Sequence, residues 1–537
     1  MEENGLESLQ EVRQALQLTD KQLMQDKIEV PAYRMLYLDE TLQENAMMEV
    51  IRDVSFASRI EKLQNPDFEK EYVPDSLKGI LREYQKAGAA WIGMLYSNRF
   101  GGILADDMGL GKTLQVISFL LTEHTGCSLI VCPASLVYNW KHELERFAPS
   151  LKADMVTGNV QQRKEVLDRW KEVDVLITSY DLLRRDITDY QELHFFCEVI
   201  DEAQYIKNHG TQAARAVKQV QTGFRLALTG TPIENRLSEL WSIFDYLMPG
   251  YLYSYQRFRI ELEQPIVQHK DEDAAKRLQR LIRPFVLRRL KKEVLQDLPD
   301  KLEENLYADM DGEQQELYDA HVRRMKLMLE EKSDEEIRTD KIEILAELTR
   351  LRQLCCDPAL LYDNYKGGSA KTELVRGLIR NAVENGHKVL LFSQFTTMLE
   401  RLYRILEEEK IASHMLTGAT PKEKRIEMVE SFAHDDVPVF CISLKAGGTG
   451  LNLTAADVVI HFDPWWNSAV QNQATDRAHR IGQKNVVNVY RILAKGTIEE
   501  KIVELQERKL QLSDRILGGE SLQAQGLTRE ELLELLR

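Results

Sequence analysis

The chain has 537 residues, of which 43% are hydrophobic and 29% are charged. This length accommodates about two to four domains, and the composition is typical of a soluble globular protein. With 70 basic and 86 acidic residues the net charge is −16, which argues against a protein covered by nucleic acid over its whole surface. A local basic track is compatible with this charge. Arg280–Lys292 (RLIRPFVLRRLKK) holds six basic and no acidic residues, although a solvated helix face explains the run equally well.

Membrane, secreted and zinc-binding classes are disfavoured. No apolar run approaches the length of a membrane span and no signal peptide opens the chain, so we expect a cytoplasmic protein, nucleoid-associated if the source is prokaryotic. The cysteines lack C-x-x-C spacing, and several lie in apolar strand patterns. This favours buried thiols in a reducing compartment and no zinc site; they are Cys127, Cys132, Cys197, Cys355, Cys356 and Cys441.

The beginning of the chain differs in pattern from the remainder. Residues 1–75 are predicted to be helical, with candidate helices at Gln10–Met24 and Met47–Leu63, and they carry no catalytic motif. From Leu77 onward, apolar runs of strand length alternate with helical segments. The predicted strands are Gly101–Ala105, Ser128–Cys132, Val173–Ile177, Phe195–Ile200 and Arg225–Leu228. This alternation indicates βαβ units and a parallel sheet covered on both faces.

A glycine-rich segment, Asp106–Thr113 (DDMGLGKT), follows the first predicted strand and precedes an amphipathic run. This is the arrangement of a Walker A phosphate loop, in which glycines let backbone N–H groups approach a nucleotide triphosphate. Lys112 would reach the β and γ oxygens, Thr113 would ligate Mg²⁺, and the helix N-terminus would add its positive dipole end. The match is imperfect, because Asp106 stands where the consensus has its first glycine.

A carboxylate pair supports the same chemistry. The buried-strand pattern Phe195–Ile200 runs directly into Asp201, Glu202 and the rest of a DEAQ box that ends at Gln204. An Asp at the end of a strand beside a phosphate loop can hold Mg²⁺, and the adjacent Glu can orient or deprotonate the attacking water. The alternative is a helix N-cap Asp with an acidic first turn.

The second half of the chain contains another α/β unit. Residues of about 236–385 are predicted to be largely helical and charged, as in Glu313–Lys332 and Lys341–Leu354. A charged amphipathic helix is predicted at Ile498–Ile516, and a short helix at Arg529–Leu536. Strands return at Lys388–Phe392, His414–Leu416, Val439–Ser443, Val458–Phe462 and Val486–Tyr490.

The second unit has no lysine-bearing phosphate loop but does have an arginine-rich segment, Gln473–Gln483. On a helix, Gln473, Arg477 and Arg480 would share one face. Two arginines on one face suit a γ-phosphate that develops charge in its transition state, as arginine fingers do. An ordinary charged surface helix is the alternative.

These motifs together resemble the Swi/Snf family of DNA-translocating ATPases, within the larger helicase superfamily. In the first unit, Leu81–Gln85 resembles the adenine-recognition motif, so Gln85 would read the base edge. Cys132–Trp140 resembles a motif that grips one DNA strand, and Leu228–Asn235 resembles the motif that couples the ATP and DNA sites. In the second unit, Phe392–Phe395, Ser443–Leu453 and Asp463–Asn467 resemble further motifs of the family, and the arginine segment follows them.

The resemblance implies an α/β fold of two RecA-like parallel-sheet lobes with helical insertions. We expect a helical segment at 1–75, an ATP-binding lobe at 76–298, a second lobe at 299–500 and C-terminal helices at 501–537. Three departures from the family pattern are Asp107 for the commoner Glu, Gln204 for His, and Ser468 for Pro. They put in doubt only the fine coupling at Gln204 and the turn at Ser468.

The resemblance also assigns roles to residues. Catalysis falls to Lys112, Asp201, Glu202, Arg477 and Arg480, and Mg²⁺ to Thr113 and Asp201. ATP would be bound by Gln85, Asp106, Asp107, Met108, Gly109, Leu110, Gly111, Lys112, Thr113, Gly450 and Gln473. Small hydroxyls and loop glycines can hold DNA phosphates without reading sequence. The predicted DNA contacts are Ser135, Asn139, Trp140, Thr178, Ser393, Gln394, Ser443, Lys445, Gly447 and Trp466; for the two tryptophans a core role is equally compatible.

The predicted function is ATP hydrolysis at the cleft between two lobes, driving translocation on double-stranded DNA and displacing or rearranging bound proteins. The expected cofactors are ATP and Mg²⁺, and the expected state is a monomer. The alternatives are a strand-separating helicase, a factor that recycles RNA polymerase, and a nucleic-acid-dependent scaffold with weak turnover. The sequence does not identify the displaced protein.

Overall fold

The computed structural model of the chain describes two units. The described residues are 51–64, 73–123, 125–230, 236–269, 271–295, 299–332, 340–444, 452–466, 468–504 and 506, together with Lys27, Arg34, Met35, Leu38 and Asp39. The first unit ends at Val294 and the second begins at Leu295. The predicted boundary after residue 298 is close to this division, and the four domain ranges remain predictions. The candidate helices Gln10–Met24 and Arg529–Leu536 lie outside the described residues.

The first unit is built on a seven-stranded sheet in which every pairing is parallel. Its spatial order is β3-β4-β2-β6-β8-β1-β9, and a separate pair joins β5 to β7. The strands are β1 Gly102–Leu104, β2 Ser128–Cys132, β3 Ala153–Met155, β4 Val175–Ser179, β5 His194–Phe195, β6 Glu198–Asp201, β7 Gln221–Thr222, β8 Arg225–Leu228 and β9 Val286–Leu287. Strands β1, β2 and β4 are buried along their whole length, as continuous apolar runs require in a sheet covered on both faces.

Helices surround this sheet, and several begin at a side chain that caps them. Asn159 accepts a hydrogen bond from the backbone N–H of Gln162, and Asp271 accepts from two N–H groups of the helix that follows it. The helices are Val54–Gln64, Glu83–Ser97, Lys112–Thr122, Val137–Phe147, Val160–Asp168, Tyr180–Arg185, Ile187–Tyr190, Gln212–Gln219, Leu237–Leu247, Tyr255–Phe258, Gln264–His269, Glu272–Ile282 and Lys291–Val294, with a π-helical turn at Arg259–Glu263.

The second unit contains a six-stranded, all-parallel sheet in the order β10-β15-β14-β11-β13-β12. Alternate residues of its central strand enter different cores: Val389 and Leu391 lie in one cluster, and Leu390 and Phe392 lie in another. Both faces are therefore covered. The strands are β10 Lys301–Ala308, β11 Val389–Ser393, β12 Ser413–Leu416, β13 Val439–Ser443, β14 Val458–His461 and β15 Val487–Ala494.

Two long helices form an insertion in the second unit with a core of its own. Tyr318 and Leu329 of the first helix and Leu351 of the second pack with Ile498 and Ile502 near the end of the described chain. The two predicted helices of this region are confirmed. Helices of the unit include Gly312–Glu331, Lys341–Cys356, Ala370–Glu384, Thr396–Glu408, Lys422–His434 and Ser468–Thr475, and residues 498–504 are helical as well.

The predicted fold class is confirmed: two parallel α/β units with helical insertions. Burial of all six cysteines is also confirmed. The prediction of one strand at Phe195–Ile200 is wrong, because the chain forms β5 and β6 there, and β3, β7, β9 and β10 were not predicted. Within the described part of the chain, no helix is both long and apolar enough to cross a membrane.

One predicted helix is too long. The helix that contains Gln473 ends at Thr475, and Arg477 and Arg480 lie in turns beyond it. Thr475 is hydrogen bonded through its hydroxyl to Nε2 of the buried His461 at 2.8 Å. The amide of Gln483 donates to the Ala456 carbonyl at 2.8 Å, and this contact also supports the turns. Helical periodicity therefore does not place the two arginines on one face.

Candidate active site

The predicted catalytic segments of the first unit follow neighbouring strands. Strands β6, β8 and β1 are adjacent in the sheet and parallel, so their carboxyl ends lie at one edge. The phosphate loop follows β1, the DEAQ box begins at the end of β6, and Thr229 follows β8. In open α/β sheets this edge is where ligands bind.

The phosphate loop has the backbone that its glycines permit. Gly109 and Gly111 have φ values of 85° and 73°, in the left-handed region that favours glycine. Lys112 begins the next helix, and its Nζ donates to the carbonyl oxygen of Asp106 at 2.6 Å. Lys112, the residue predicted to bind phosphate, is therefore held over the loop. It lies at the N-terminus of a helix of eleven residues.

Gln85, the predicted adenine reader, is buried against this loop. Its Nε2 donates to the carbonyl of Leu110 at 3.1 Å, and its Oε1 accepts from the backbone N–H of Arg82 at 2.9 Å. A Cβ at Gly111 would lie 2.5 Å from Nε2 of Gln85, so a larger residue there would displace this side chain in addition to adopting an unfavourable φ. The side chain links the helix Glu83–Ser97 to the loop, and base recognition by Gln85 stays a prediction.

Asp106, which replaces the usual glycine, is fully buried and paired with an arginine. Arg289 Nε donates to Oδ1 at 2.9 Å, and Arg289 Nη2 donates to Oδ2 at 2.5 Å. Gln115 Nε2 also donates to Oδ2, at 3.0 Å. Sequence reasoning missed Arg289. The only signal was the basic run Arg280–Lys292, which contains the end of a helix and β9 and is not a single solvated helix face.

Asp201 lies at the end of β6 and is held by three groups. The indole N–H of Trp140 donates to its Oδ2 at 2.9 Å, the backbone N–H of Glu202 donates to Oδ1 at 2.8 Å, and the Tyr180 hydroxyl donates to its carbonyl oxygen at 2.8 Å. Its pKa is raised to about 6, first by burial and then by the charge of Glu202. The Trp140 hydrogen bond and the charge of Lys112 act in the opposite direction. Lys112 and Asp201 thus share one electrostatic environment.

Glu202 has a left-handed backbone, with φ 52°, which is uncommon for a residue other than glycine and is found preferentially at functional sites. Its side chain is oriented by Gln204, whose Nε2 donates to Glu202 Oε2 at 2.7 Å. Gln204 Oε1 in turn accepts from the Thr229 hydroxyl at 3.1 Å. A hydrogen-bonded line therefore runs from the segment after β8 to the predicted general base.

The residues predicted to hold Mg²⁺ have suitable chemistry. Thr113 is in the first turn of the helix that begins at Lys112, and Asp201 supplies a carboxylate. Hydroxyl and carboxylate oxygens, completed by phosphate and water, are what Mg²⁺ prefers. The hydrogen bonds to Asp201 leave each carboxylate oxygen a further lone pair.

The predicted DNA contacts in the first unit differ in exposure. Ser135 and Asn139 are partly exposed. Trp140 is buried and bonded to Asp201, while Thr178 is buried and its hydroxyl donates to the Val156 carbonyl at 3.4 Å. The last two side chains have protein partners in this structure, and their role in DNA binding stays a prediction.

In the second unit the residues of the predicted motifs meet around Asp463. Its Oδ1 accepts from the buried Ser393 hydroxyl at 2.5 Å and from the backbone N–H of Gln394 at 3.3 Å. Sequence reasoning missed Arg352, whose Nη2 donates to the Pro464 carbonyl and whose guanidinium lies 5.7 Å from the ring centroid of Trp466. Arg352 therefore fixes the loop that precedes the arginine segment.

The remaining predicted residues of the second unit have mixed environments. Ser443 and Gln473 are buried, whereas Arg477 and Arg480 are partly exposed. The carbonyl of Arg477 accepts from the Leu453 N–H at 3.0 Å, which anchors the turn. Lys445, Gly447 and Gly450 lie outside the described residues, as do residues 231–235 of the coupling motif.

Comparison with known proteins identifies the family. Residues 84–360 match the SNF2-related domain, residues 370–482 match the helicase conserved C-terminal domain, and residues 1–74 match a domain described as bacterial SNF2 helicase associated. The chain belongs to the Snf2 family of helicase-superfamily ATPases. The family resemblance of the sequence motifs is thereby confirmed.

Individual relatives cover most of this chain. It is 41% identical over 464 residues to an uncharacterized ATP-dependent helicase of Mycoplasma genitalium, covering 85% of this chain and 44% of that protein. It is 40% identical over 479 residues to the putative ATP-dependent helicase/translocase YwqA of Bacillus subtilis, covering 86% of this chain and 51% of YwqA. The chain thus spans about half the length of these curated relatives. A solved Swi2/Snf2 ATPase core of Sulfolobus solfataricus with double-stranded DNA is 36% identical, with TM-score 0.43, covering 84% of this chain and 95% of that one.

Proposed function

We propose that the protein is an ATP-dependent translocase on double-stranded DNA that displaces or remodels DNA-bound proteins. The observation that carries this proposal is the set of predicted ATP residues at one edge of the first sheet. Lys112 stands over a left-handed glycine loop, and Glu202 is oriented by Gln204 and Thr229 beside Asp201. In a member of the Snf2 family, that arrangement supports hydrolysis of a nucleoside triphosphate.

Each predicted catalytic residue of the first unit has a distinct role in hydrolysis. Lys112 and the loop N–H groups bind the triphosphate, and Glu202 orients the water and takes its proton. Thr113 and Asp201 would hold Mg²⁺, which neutralises phosphate charge when bound. Burial raises the pKa of Asp201, and a cation bound beside it would stabilise the ionised carboxylate.

The second unit supplies the arginines in this proposal. Arg477 and Arg480 stabilise the charge of the reacting γ-phosphate, and DNA binding brings them to it. The support is their position after the braced Asp463 segment in a match to the helicase C-terminal domain. Both residues are partly exposed.

DNA is held through its phosphates and not through its bases. Partly exposed Ser135 and Asn139 suit such contacts, and a translocating protein must release each contact at every step. The net charge of −16 confines DNA to a local track. The names of the relatives, ATP-dependent helicase and helicase/translocase, are consistent with this activity but do not identify the displaced protein.

The test is an ATPase assay combined with two displacement assays. We expect a low rate of ATP hydrolysis without nucleic acid and a strong increase with duplex DNA. Lys112→Ala should abolish hydrolysis under both conditions. Equal stimulation by single-stranded RNA and duplex DNA would contradict the proposal. A triplex-forming strand should be displaced from duplex DNA, whereas a forked duplex should stay paired; strand separation would instead support a helicase.

A further inference from the structure

The phosphate loop is tied to the segment of the first unit that leads into the second. Strand β9 pairs in parallel with β1, with Val286 opposite Ile103 and Leu287 opposite Leu104. The pairing continues beyond both strands, because Ala105 N–H donates to the Leu287 carbonyl at 2.7 Å and Asp107 N–H donates to the Arg289 carbonyl at 3.0 Å. The chain enters the second unit after Val294.

Side chains strengthen this connection at both aspartates of the loop. Arg289 forms a two-pronged ion pair with the buried Asp106, and the backbone N–H of Lys291 donates to Asp107 Oδ2 at 3.0 Å. A bidentate guanidinium–carboxylate pair fixes orientation as well as distance, and its burial makes its separation costly. The loop and residues 286–291 are therefore held together by both backbone and side-chain bonds.

Arg289 also joins the other elements around the loop. Its Nη1 donates to the Tyr84 carbonyl, its Nη2 donates to Gln115 Oε1 at 2.7 Å, and its guanidinium lies 5.2 Å from the Tyr84 ring centroid. A Cβ at Gly88 would lie 1.7 Å from Gln115 Oε1 and 2.7 Å from Arg289 Nη2, so a larger residue there would displace both side chains. One side chain thus contacts the Gln85 helix, the loop and the helix after the loop.

Lys112, the residue predicted to bind the nucleotide phosphates, also contacts Asp106. Lys112 Nζ donates to the carbonyl oxygen of Asp106, whose carboxylate holds Arg289. A triphosphate bound by Lys112 competes with that hydrogen bond, so phosphate binding changes the hydrogen bonding of the Asp106 carbonyl. Lys112 and Arg289 therefore both contact Asp106, one at its carbonyl oxygen and the other at its carboxylate.

We propose that Arg289 is a positioning residue that couples occupation of the phosphate loop to the connecting segment, residues 286–294. The proposal rests on the proposed function, since it assumes that the loop binds ATP. It gives Asp106 a reason to replace glycine: its carboxylate anchors Arg289. The coupling runs from phosphate through Lys112 and Asp106 to Arg289 and the chain that follows it.

The test compares variants by hydrogen–deuterium exchange with and without the non-hydrolysable analogue AMP-PNP and Mg²⁺. The clamp variant is Asp106→Ala with Arg289→Met, because replacing both partners of a buried pair leaves no unpaired charge. The matched control is Asp186→Ala with Arg163→Met. Arg163 and Asp186 form another largely buried two-pronged pair in the same unit, with bonds of 2.5 and 2.8 Å.

In the wild-type protein and the control, saturating AMP-PNP should slow amide exchange in residues 286–294 roughly tenfold, the effect of stabilising about one hydrogen bond. The clamp variant should show no such slowing, and its ratio of DNA-stimulated to basal ATPase rate should fall while the control keeps its ratio. Slowing as large in the clamp variant as in the wild type would overturn the proposal.

Arg289→Lys covers the case in which the clamp variant is unfolded or binds no nucleotide. Lysine keeps the positive charge but cannot form the two-pronged contact with Asp106, so the slowing of amide exchange in residues 286–294 at saturating AMP-PNP should be intermediate. Slowing as large as in the wild type would refute the coupling. Failure of the wild-type protein to bind AMP-PNP would refute the proposed function itself. Binding by the wild type without slowing in residues 286–294 would refute the coupling alone.

Discussion

The indole N–H of Trp140 donates to Oδ2 of Asp201 at 2.9 Å, which links the segment after β2 to the end of β6. Trp140 is 1% exposed, so its ring is part of the core while its one polar atom reaches a carboxylate of the candidate active site. The residue thus orients Asp201, independently of any role in DNA binding.

Trp140→Phe should keep the packing and remove this hydrogen bond. We expect the DNA-stimulated turnover to fall roughly tenfold to a hundredfold, the range for a hydrogen bond to a charged group, and the Mg²⁺ concentration for half-maximal rate to rise. Steady-state kinetics over a Mg²⁺ series measures both. Trp241→Phe is the control, since its indole donates only to backbone carbonyls; equal losses in both variants would indicate a general packing defect.

Lys112→Ala and Glu202→Gln should separate binding from hydrolysis. Lys112 holds ground-state phosphates, so its loss should abolish hydrolysis and weaken ATP binding. Glu202 acts mainly on water, so Glu202→Gln should abolish hydrolysis while ATP stays bound. Equilibrium binding of a fluorescent ATP analogue and the ATPase rate measure the two effects, with the exposed Lys164→Ala as control. Near-normal turnover in Glu202→Gln would show that another group is the base.

Local patterns were sufficient to predict the strand–loop–helix at Gly102–Thr122, because its apolar strand is buried and its glycines and charged residues are close in sequence. The single strand predicted at Phe195–Ile200 is instead two strands, of which β6 leads into the DEAQ box. Strand β10 was missed because its edge position exposes Glu303 and Glu304, which makes the strand read as a charged loop. A two-residue strand such as β9 carries no periodicity at all.

Long-range side-chain pairs are the part of the site that the sequence does not specify. Arg289 and Asp106 are 183 residues apart, and no spacing rule relates them. The prediction of one helix through Arg477 and Arg480 is wrong for a different reason. The helical periodicity of the segment is real, but contacts of Thr475 with His461 and of Gln483 with the backbone favour turns after Thr475. Tertiary hydrogen bonds there override a local preference.

Glu198 should make the stability of the first unit depend on pH. It is fully buried three residues before Asp201, and burial raises its pKa to about 8 although Arg225 lies 3.5 Å away. The pKa of Glu in an unfolded chain is about 4.3. Between that pH and about 8 the carboxyl group is therefore ionised in the unfolded state and protonated in the folded state. The free energy of unfolding should therefore fall as pH rises, by up to about 1.4 kcal/mol per pH unit.

Glu198→Gln should remove this dependence and stabilise the unit at pH 8. Urea unfolding between pH 5 and 8 measures it, with the exposed Glu165→Gln as control. A Glu198→Gln protein with the wild-type slope would show that Glu198 is ionised in the folded state.

A buried ion pair should control the stability of the second unit. Lys371 Nζ contacts both carboxylate oxygens of Glu499, at 2.9 and 2.8 Å, and both side chains are 0% exposed. Lys371→Met leaves a buried charge unpaired and should cost about 3–5 kcal/mol. Adding Glu499→Leu should restore most of the loss in urea unfolding, whereas Lys495→Met, at an exposed pair with Asp309, should change little. No recovery in the double variant would mean that packing, not charge, dominates.

Arg477→Ala and Arg480→Ala should each reduce the DNA-stimulated ATPase rate, by up to roughly 10³-fold, the lower bound for an arginine finger. ATP affinity should change much less, because the loop of the first unit makes most ground-state contacts. The two quantities should be measured on the same protein, with Arg323→Ala, an exposed arginine of the insertion, as control. The carbonyl of Arg477 anchors the turn, and alanine keeps that bond, so an effect on rate reports the side chain. Unchanged rates in both variants would make the segment structural and remove the second unit from the proposed chemistry.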